Sequence, residues 1–529
     1  MKILFVERII EYIDPMHIEL LSALARREGH TTFLAILQEN DLAAEFRRVK
    51  PDVVAFSTKT GEHIYQLQAA EMIKKISPAT PTVIGGPHCT FFPEIVEHPA
   101  IDFVGSGECD YAWPELLQAL DRGAATAAIK NIFSKENWFG RFRAATAPIR
   151  NQHLGSRVSD LDGLPFFDRE LVYNRTHLRD FPMRAFMSSR GCPFECTYCF
   201  EPKFNQIYQG KGAVFQRYGV KRLCAELKEL KERWPVQFIK FYDDLFFVKK
   251  TVDPWLLEFA EIYPREVGLP FFCLTRCNLL TEEILLLLKR AGLHSLTMSI
   301  ESGNQYIRDS VIKRHMTREE ILYAFGLCQK HGIVTFANTI LGIPVRPEIM
   351  AQHGKTAIDY DIESLDLNLE CKVTFGEFGT VYPYPGCELA DYVVQNGWFA
   401  PEDFDRLHTS YQAESPLNCF TDREKRMQNN LALLGTVCLA FPRLRNLTVN
   451  HLIKWRLTKL YFVLYYLTKG YLNIFKVYPM RFTFYNFCKT LIRSFRIEIK
   501  KHSPGKRLYQ KTKTRAATTT EMLGGAPKL

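Results

Sequence analysis

Short apolar runs alternate with amphipathic segments over two long stretches of this chain, and that alternation limits its folding more than any other feature. In residues 1–121 the candidate strands are Lys2–Glu7, Thr32–Leu37, Val53–Ser57, Thr82–Gly86 and Asp102–Gly105. Candidate helices Met16–Glu28, Ile64–Lys75 and Tyr111–Leu120 lie between them. Such alternation predicts an α/β fold with a parallel, doubly wound sheet, whose ligands bind beyond the carboxyl ends of the strands. Ser57-Thr58 ends the third strand, Gly85-Gly86 follows the fourth, and Gly105, Gly107 and Glu108 follow the fifth. Glycine permits close approach of backbone to a ligand, although Gly-Gly after a strand is also an ordinary turn.

The second stretch predicts strands at Arg184–Ser188, Phe238–Tyr242, Phe271–Leu274, Ser295–Ile300 and Val334–Asn338, with a sixth inside Asp366–Phe375. Helices such as Val220–Arg233, Glu282–Ala291 and Arg318–His331 separate them, giving six strand–helix units and a partial (β/α) barrel. Directly after the first of these strands comes Cys192-Pro193-Phe194-Glu195-Cys196-Thr197-Tyr198-Cys199-Phe200. Three close thiols can hold an iron–sulfur cluster, and because most clusters take four cysteines one iron is left open to another ligand. Zinc would want a fourth ligand in a second knuckle, and none lies nearby. Three inert core thiols are the plainer alternative, but Gly191 and Pro193 mark a loop instead of a helix face.

The C-x3-C-x2-C spacing followed by an aromatic residue resembles the signature of the radical S-adenosylmethionine (SAM) enzymes. In that family the open iron of a [4Fe–4S] cluster binds SAM and cleaves it to a 5′-deoxyadenosyl radical. The resemblance implies that Cys192, Cys196 and Cys199 hold the cluster, with the Tyr198 backbone and Phe200 beside the nucleoside. It implies further SAM contacts from Asp243 or Asp244 to the amino group and from Arg276 near the nucleoside or substrate. Glu301 and Ser302 would face the ribose and carboxylate, and Gly342 the adenine. Asp is equally at home as a helix cap, and Arg276 with Asn278 also fits a solvated loop.

The N-terminal stretch resembles the cobalamin-binding domain found ahead of many such barrels, which implies that Ser57, Thr58, Gly85, Gly86, Gly105, Gly107 and Glu108 line the cobalamin site. Asp14-Pro15-Met16-His17 lacks the spacing of the histidine-ligand motif, so His17 is expected to be an ordinary residue and the cobalt to lack a histidine ligand. The combination implies a methyltransferase acting on a carbon or phosphorus of a small-molecule or lipid-like substrate, supplied with electrons by a flavodoxin or ferredoxin. The alternatives are oxidative cyclisation or rearrangement without methyl transfer and, from another class, a non-catalytic cobalamin or SAM sensor, which has no use for an open iron.

The expected organisation is a cobalamin domain over 1–121, a connector over 122–181, a barrel over 182–390, a helical basic extension over 391–500 and a disordered tail over 501–529. Tyr382, Tyr384 and Cys387 mark the end of the core and are expected to pack. Of 529 residues, 47% are hydrophobic and 24% charged, as in a globular protein. The 14 cysteines lack disulfide-like spacing and the chain opens on a strand, so a reducing cytosol is the expected compartment. Residues 441–529 hold 19 Lys and Arg against two acids, whereas residues 1–440 hold 49 against 56. Basic residues interleaved with Trp, Tyr, Phe and Leu predict peripheral contact with an anionic membrane, or else a packed helical bundle. Nucleic acid is disfavoured because no binding fold accompanies the charge.

Overall fold

The computed structural model describes residues 1–138, 152–407 and 413–502; the expected disordered end from residue 503 lies outside them. Two parallel sheets dominate. The first has the order β2-β1-β3-β4-β5-β6, built from β1 (Lys2–Glu7), β2 (Thr31–Ile36), β3 (Val53–Ser57), β4 (Thr82–Gly85), β5 (Phe103–Gly105) and β6 (Ile132–Ser134). Ile3 to Val6 and Val53 to Phe56 are buried residue after residue, as in strands covered by helices on both faces. The antiparallel edge strand β6 departs from the expected bare connector. Its three residues are too few to show a period.

The second sheet has the order β14-β13-β12-β11-β10-β7 and is parallel throughout. Its strands are β7 (Met183–Phe186), β10 (Phe238–Phe241), β11 (Phe271–Thr275), β12 (Leu293–Met298), β13 (Val334–Leu341) and β14 (Phe375–Thr380). A small ribbon of β8 (Ser189–Arg190) and β9 (Gln216–Arg217) sits at the mouth. The sheet curls into a half barrel, so that Lys240 of β10 feels the charge of Glu377 on β14 across the concave face, although three strands lie between them.

The sixth barrel strand starts where its predicted range ended. Residues 366–370 belong to the helix Ala357–Glu370, which begins at a capping box formed by Thr356 and Asp359. That box satisfies two helix-end donors, and with Thr374 forming hydrogen bonds only to Thr335 the extended chain begins at Phe375.

The C-terminal extension is largely integral to the barrel. The helix Asp422–Ala440 covers β14, where Gly376 and Gly435 allow Leu439 and Phe378 to interlock. The helix Thr458–Leu472 packs on that helix through Tyr461 and Tyr465 and reaches the β14 edge, with Lys469 and the Tyr465 hydroxyl both bonded to Glu377. Beyond it, Ser295 donates to the Val477 carbonyl and Tyr478 packs on Phe238 and Phe272, plugging the amino-terminal end of the barrel.

Candidate functional site

Every segment singled out in the barrel leaves the carboxyl end of a strand, where barrel active sites gather. The cysteine loop leaves β7 and is fixed by its neighbours before any metal is considered. Asp243 accepts from the Ser188 and Ser189 backbone N–H groups at 2.6 and 2.7 Å and from the Ser188 hydroxyl at 2.8 Å. It is buried with both oxygens committed, so it holds the loop in place, while Asp244 beside it keeps exposed surface and lies close to the Gly191 N–H of the loop. Gly191 turns the loop at φ +84°, and a Cβ there would stand 1.9 Å from the Val214 carbonyl oxygen. Thr197 ties the far end to Val311 and Ile312 through its hydroxyl and N–H.

Two arginines converge on the middle thiol. Arg276 donates to Cys196 Sγ at 3.2 Å while its guanidinium lies 3.9 Å over the Phe194 ring, and Arg314 reaches the same sulfur at 3.8 Å. Arg314 also donates to the Tyr198 hydroxyl, which in turn donates to Glu301 at 2.9 Å. Glu301 sits at φ +63° and its carboxyl is raised above its usual range, chiefly by burial. Ser302 is buried beside it and accepts from Asn304 N–H. Gly342, at φ +68°, gives its N–H to buried Asp361 at 2.8 Å, so that donor is already occupied. Phe200 is half exposed and meets Phe91 of the first domain edge-on.

The donor set fits an iron–sulfur cluster. All three cysteines are free thiols on one eight-residue loop, and burial pushes Cys192 up to about 11 and Cys199 higher still. Iron is what would deprotonate such thiols, and the paired arginines supply charge compensation for the resulting thiolates. Among the described residues no three Cys, His, Asp or Glu side chains stand at metal-binding separation.

In the first domain Gly85 and Gly105 lie side by side on β4 and β5, and a Cβ on Gly85 would meet only the Gly105 carbonyl, at 3.7 Å. The trough is open at Gly85 and narrows at Gly105, where a Cβ would stand 3.0 Å from the Cys109 sulfur; its open part at the strand end fits a cofactor tail. Gly86, at φ +102°, is a glycine for another reason, since a Cβ would stand 2.5 Å from the Thr58 carbonyl oxygen. Ser57 and Thr58 border the trough, Thr58 donating its N–H to the Gly85 carbonyl. Gly107 departs from expectation: a Cβ there would strike the Tyr208 hydroxyl at 2.1 Å, and that hydroxyl accepts from Glu108 N–H and from Asn131. Glu108 accepts from Val158 N–H, so this turn serves the junction with the barrel. His17 is half exposed and paired with Glu7 at 3.1 Å.

Arg190, two residues before Cys192, completes the junction with a double hydrogen bond to Asp110 at 2.9 and 3.0 Å. Removing one partner of a buried charge pair costs about 3–5 kcal/mol. Asp110→Ala is therefore expected to unfold at markedly lower denaturant and Asp110→Leu with Arg190→Met to recover part of the loss, as fluorescence unfolding would measure. Equal loss in both would show that the pair contributes nothing specific.

A family model described as the radical SAM superfamily matches residues 186–353, and one described as the B12 binding domain matches residues 5–117. The chain thus carries a radical SAM domain behind a B12-binding domain. Its cofactors are accordingly a [4Fe–4S] cluster, SAM and cobalamin. An uncharacterised methyltransferase of Pyrococcus horikoshii is 26% identical over 422 residues, spanning 78% of this chain and 84% of that protein. An anaerobic magnesium-protoporphyrin IX monomethyl ester cyclase of Rubrivivax gelatinosus is 25% identical, spanning 62% and 59%. The radical SAM methyltransferase TsrM of Kitasatospora setae, solved with tryptophan and a SAM analogue, superposes with a TM-score of 0.57 at 18% identity, over 75% of this chain and 76% of TsrM. The B12-binding domain and radical SAM barrel thus share their fold with that enzyme.

Arg314 and Tyr208 were absent from the expected site. Arg314 follows a π-helical turn, Ile307–Val311, well past β12 in sequence although it donates back to the Ser299 carbonyl, and Tyr208 lies past the cysteine loop with no motif around it.

Proposed function

We propose that this radical SAM enzyme is a cobalamin-dependent methyltransferase acting on an unactivated carbon, or a phosphorus, of a small-molecule or lipid-like substrate, with electrons drawn from a flavodoxin or ferredoxin. The observation that carries the reading is the Arg190–Asp110 junction, which sets the cysteine loop against the strand ends of the B12-binding domain. When bound, the three cofactors supply one-electron cleavage of SAM and a transferable methyl group.

The chain's own residues position and exclude. Cys192, Cys196 and Cys199 hold the cluster, and Arg276 with Arg314 offsets charge at Cys196. Asp244 offers a carboxylate to the SAM ammonium, while Tyr198 and Arg314 hold Glu301 for the ribose. Ser302, Phe200 and the turn at Gly342 border the same space. Ser57, Thr58, Gly85, Gly86 and Gly105 form the cobalamin trough, with Gly107 and Glu108 at its junction edge. On the concave face of the barrel Lys240 is buried among the rings of Tyr242, Tyr478 and Phe272, at 4.7, 4.9 and 5.5 Å, and burial lowers it to about 8. Lys240 thus places a readily deprotonated amine on the concave face, beneath the strand ends that carry the cysteine loop.

The similarity to the cyclase favours a second reading, oxidative cyclisation without methyl transfer. SAM carrying a deuterated methyl group separates the two. Label retained in the product supports methylation, and unlabelled product formed with SAM consumption overturns it.

A further inference from the structure

We infer that the outward face of the helix Thr458–Leu472, continued to Phe475, docks on an anionic lipid bilayer. Leu460, Val463, Leu464, Leu467, Tyr471 and Phe475 recur at helical spacing and are each 41–57% exposed. Scattered exposed apolar residues are ordinary, but six on one strip form the kind of contiguous patch that marks an interaction surface. The opposite face is committed to the barrel, with Tyr461 and Tyr465 buried and Lys469 bonded to Glu377. The helix Phe484–His502 lies alongside, Tyr466 donating to Ser494 and Phe475 meeting Phe487 at 5.9 Å, while its exposed Tyr485 and Ile492 line a separate groove with Glu39.

Charge identifies the occupant. Residues 441–502 carry 13 Lys and Arg and one acid, Glu498. Exposed Lys454, Arg456 and Lys459 precede the strip, and exposed Lys476 and Lys489 follow it. A second copy of the chain would bring these cations face to face, whereas anionic headgroups neutralise them while the acyl boundary takes the leucines. No helix among the described residues is long and apolar enough to cross a membrane, so the geometry is that of a helix lying in the interface. The surface is independent of the cofactor sites and does not rest on the methyltransferase reading.

The test is flotation of the full chain with vesicles of phosphatidylcholine alone and of phosphatidylcholine mixed with phosphatidylglycerol, at low and high salt. Binding to the mixed vesicles is expected to exceed that to neutral ones by about tenfold or more and to fall as salt rises. Leu464→Glu with Leu467→Glu should abolish it while circular dichroism stays unchanged. Lys459→Gln with Lys476→Gln leaves the apolar packing intact, so it decides the matter should the first pair fail to fold; it is expected to weaken binding and flatten the salt dependence. Absence of binding to either vesicle, equal binding to both, Gln variants that bind like the unaltered chain, or a dimer that Leu464→Glu dissociates would each overturn the inference.

Discussion

Replacing Cys192, Cys196 and Cys199 together by Ala is expected to strip the anaerobically reconstituted protein of its roughly four irons and its visible cluster absorbance. Formation of 5′-deoxyadenosine from SAM should fall to background in the same sample, since no other thiol set can substitute. Cys273 and Cys277 are wholly buried on or beside β11, Cys224 lies in a core-facing helix, and Cys387 gives its thiol to the Tyr384 carbonyl. Iron determination and chromatography of the nucleoside product check both outcomes. A cluster that survives in the triple variant and vanishes on changing Cys224 or Cys273 would refute the assignment.

A second large effect is expected from a residue with no chemistry of its own. Gly191→Ala puts a methyl group 1.9 Å from a backbone carbonyl oxygen and demands a left-handed conformation of a residue that resists it. Neither the Val214 backbone nor the loop can yield cheaply, because Asp243 holds Ser188 and Ser189 from one side and β8 pairs with β9 from the other. Iron content after reconstitution should drop to about a tenth or less, with the far-ultraviolet circular dichroism retained, because the strain falls on the loop and not on the sheets. Full iron loading would mean that the loop has freedom its contacts do not suggest.

Much of the fold was legible because, apart from the antiparallel edge strand β6, the strands of both sheets are parallel and buried, which writes them as apolar runs. Predicted and observed strands agree to within a residue or two from β1 to β5. Where the signal was too short, as in the three residues of β6, or competed with a capped helix, as before β14, the reading slipped. The site was legible at strand ends and no further. Asp243 and Asp244 are indistinguishable in sequence, yet one is buried under three hydrogen bonds and the other keeps exposed surface. Gly107 reads as a ligand-approach glycine, although the atom that approaches it is the Tyr208 hydroxyl from a distant segment. The pairing of Arg276 with Arg314 at Cys196 arises from tertiary contact alone. In the extension the apolar and basic residues gave composition without direction; only the packed structure separates the Tyr461 and Tyr465 face from the exposed strip.

The central claim is that one chain carries both the cluster and cobalamin at a shared opening. Anaerobic reconstitution of the full chain with iron, sulfide and hydroxocobalamin, followed by desalting and metal analysis, tests it most directly. The account predicts cobalt and iron together in a ratio of about one to four, with a cobalt spectrum lacking a histidine ligand and unchanged in His17→Ala. Iron retained without cobalt after desalting would contradict it.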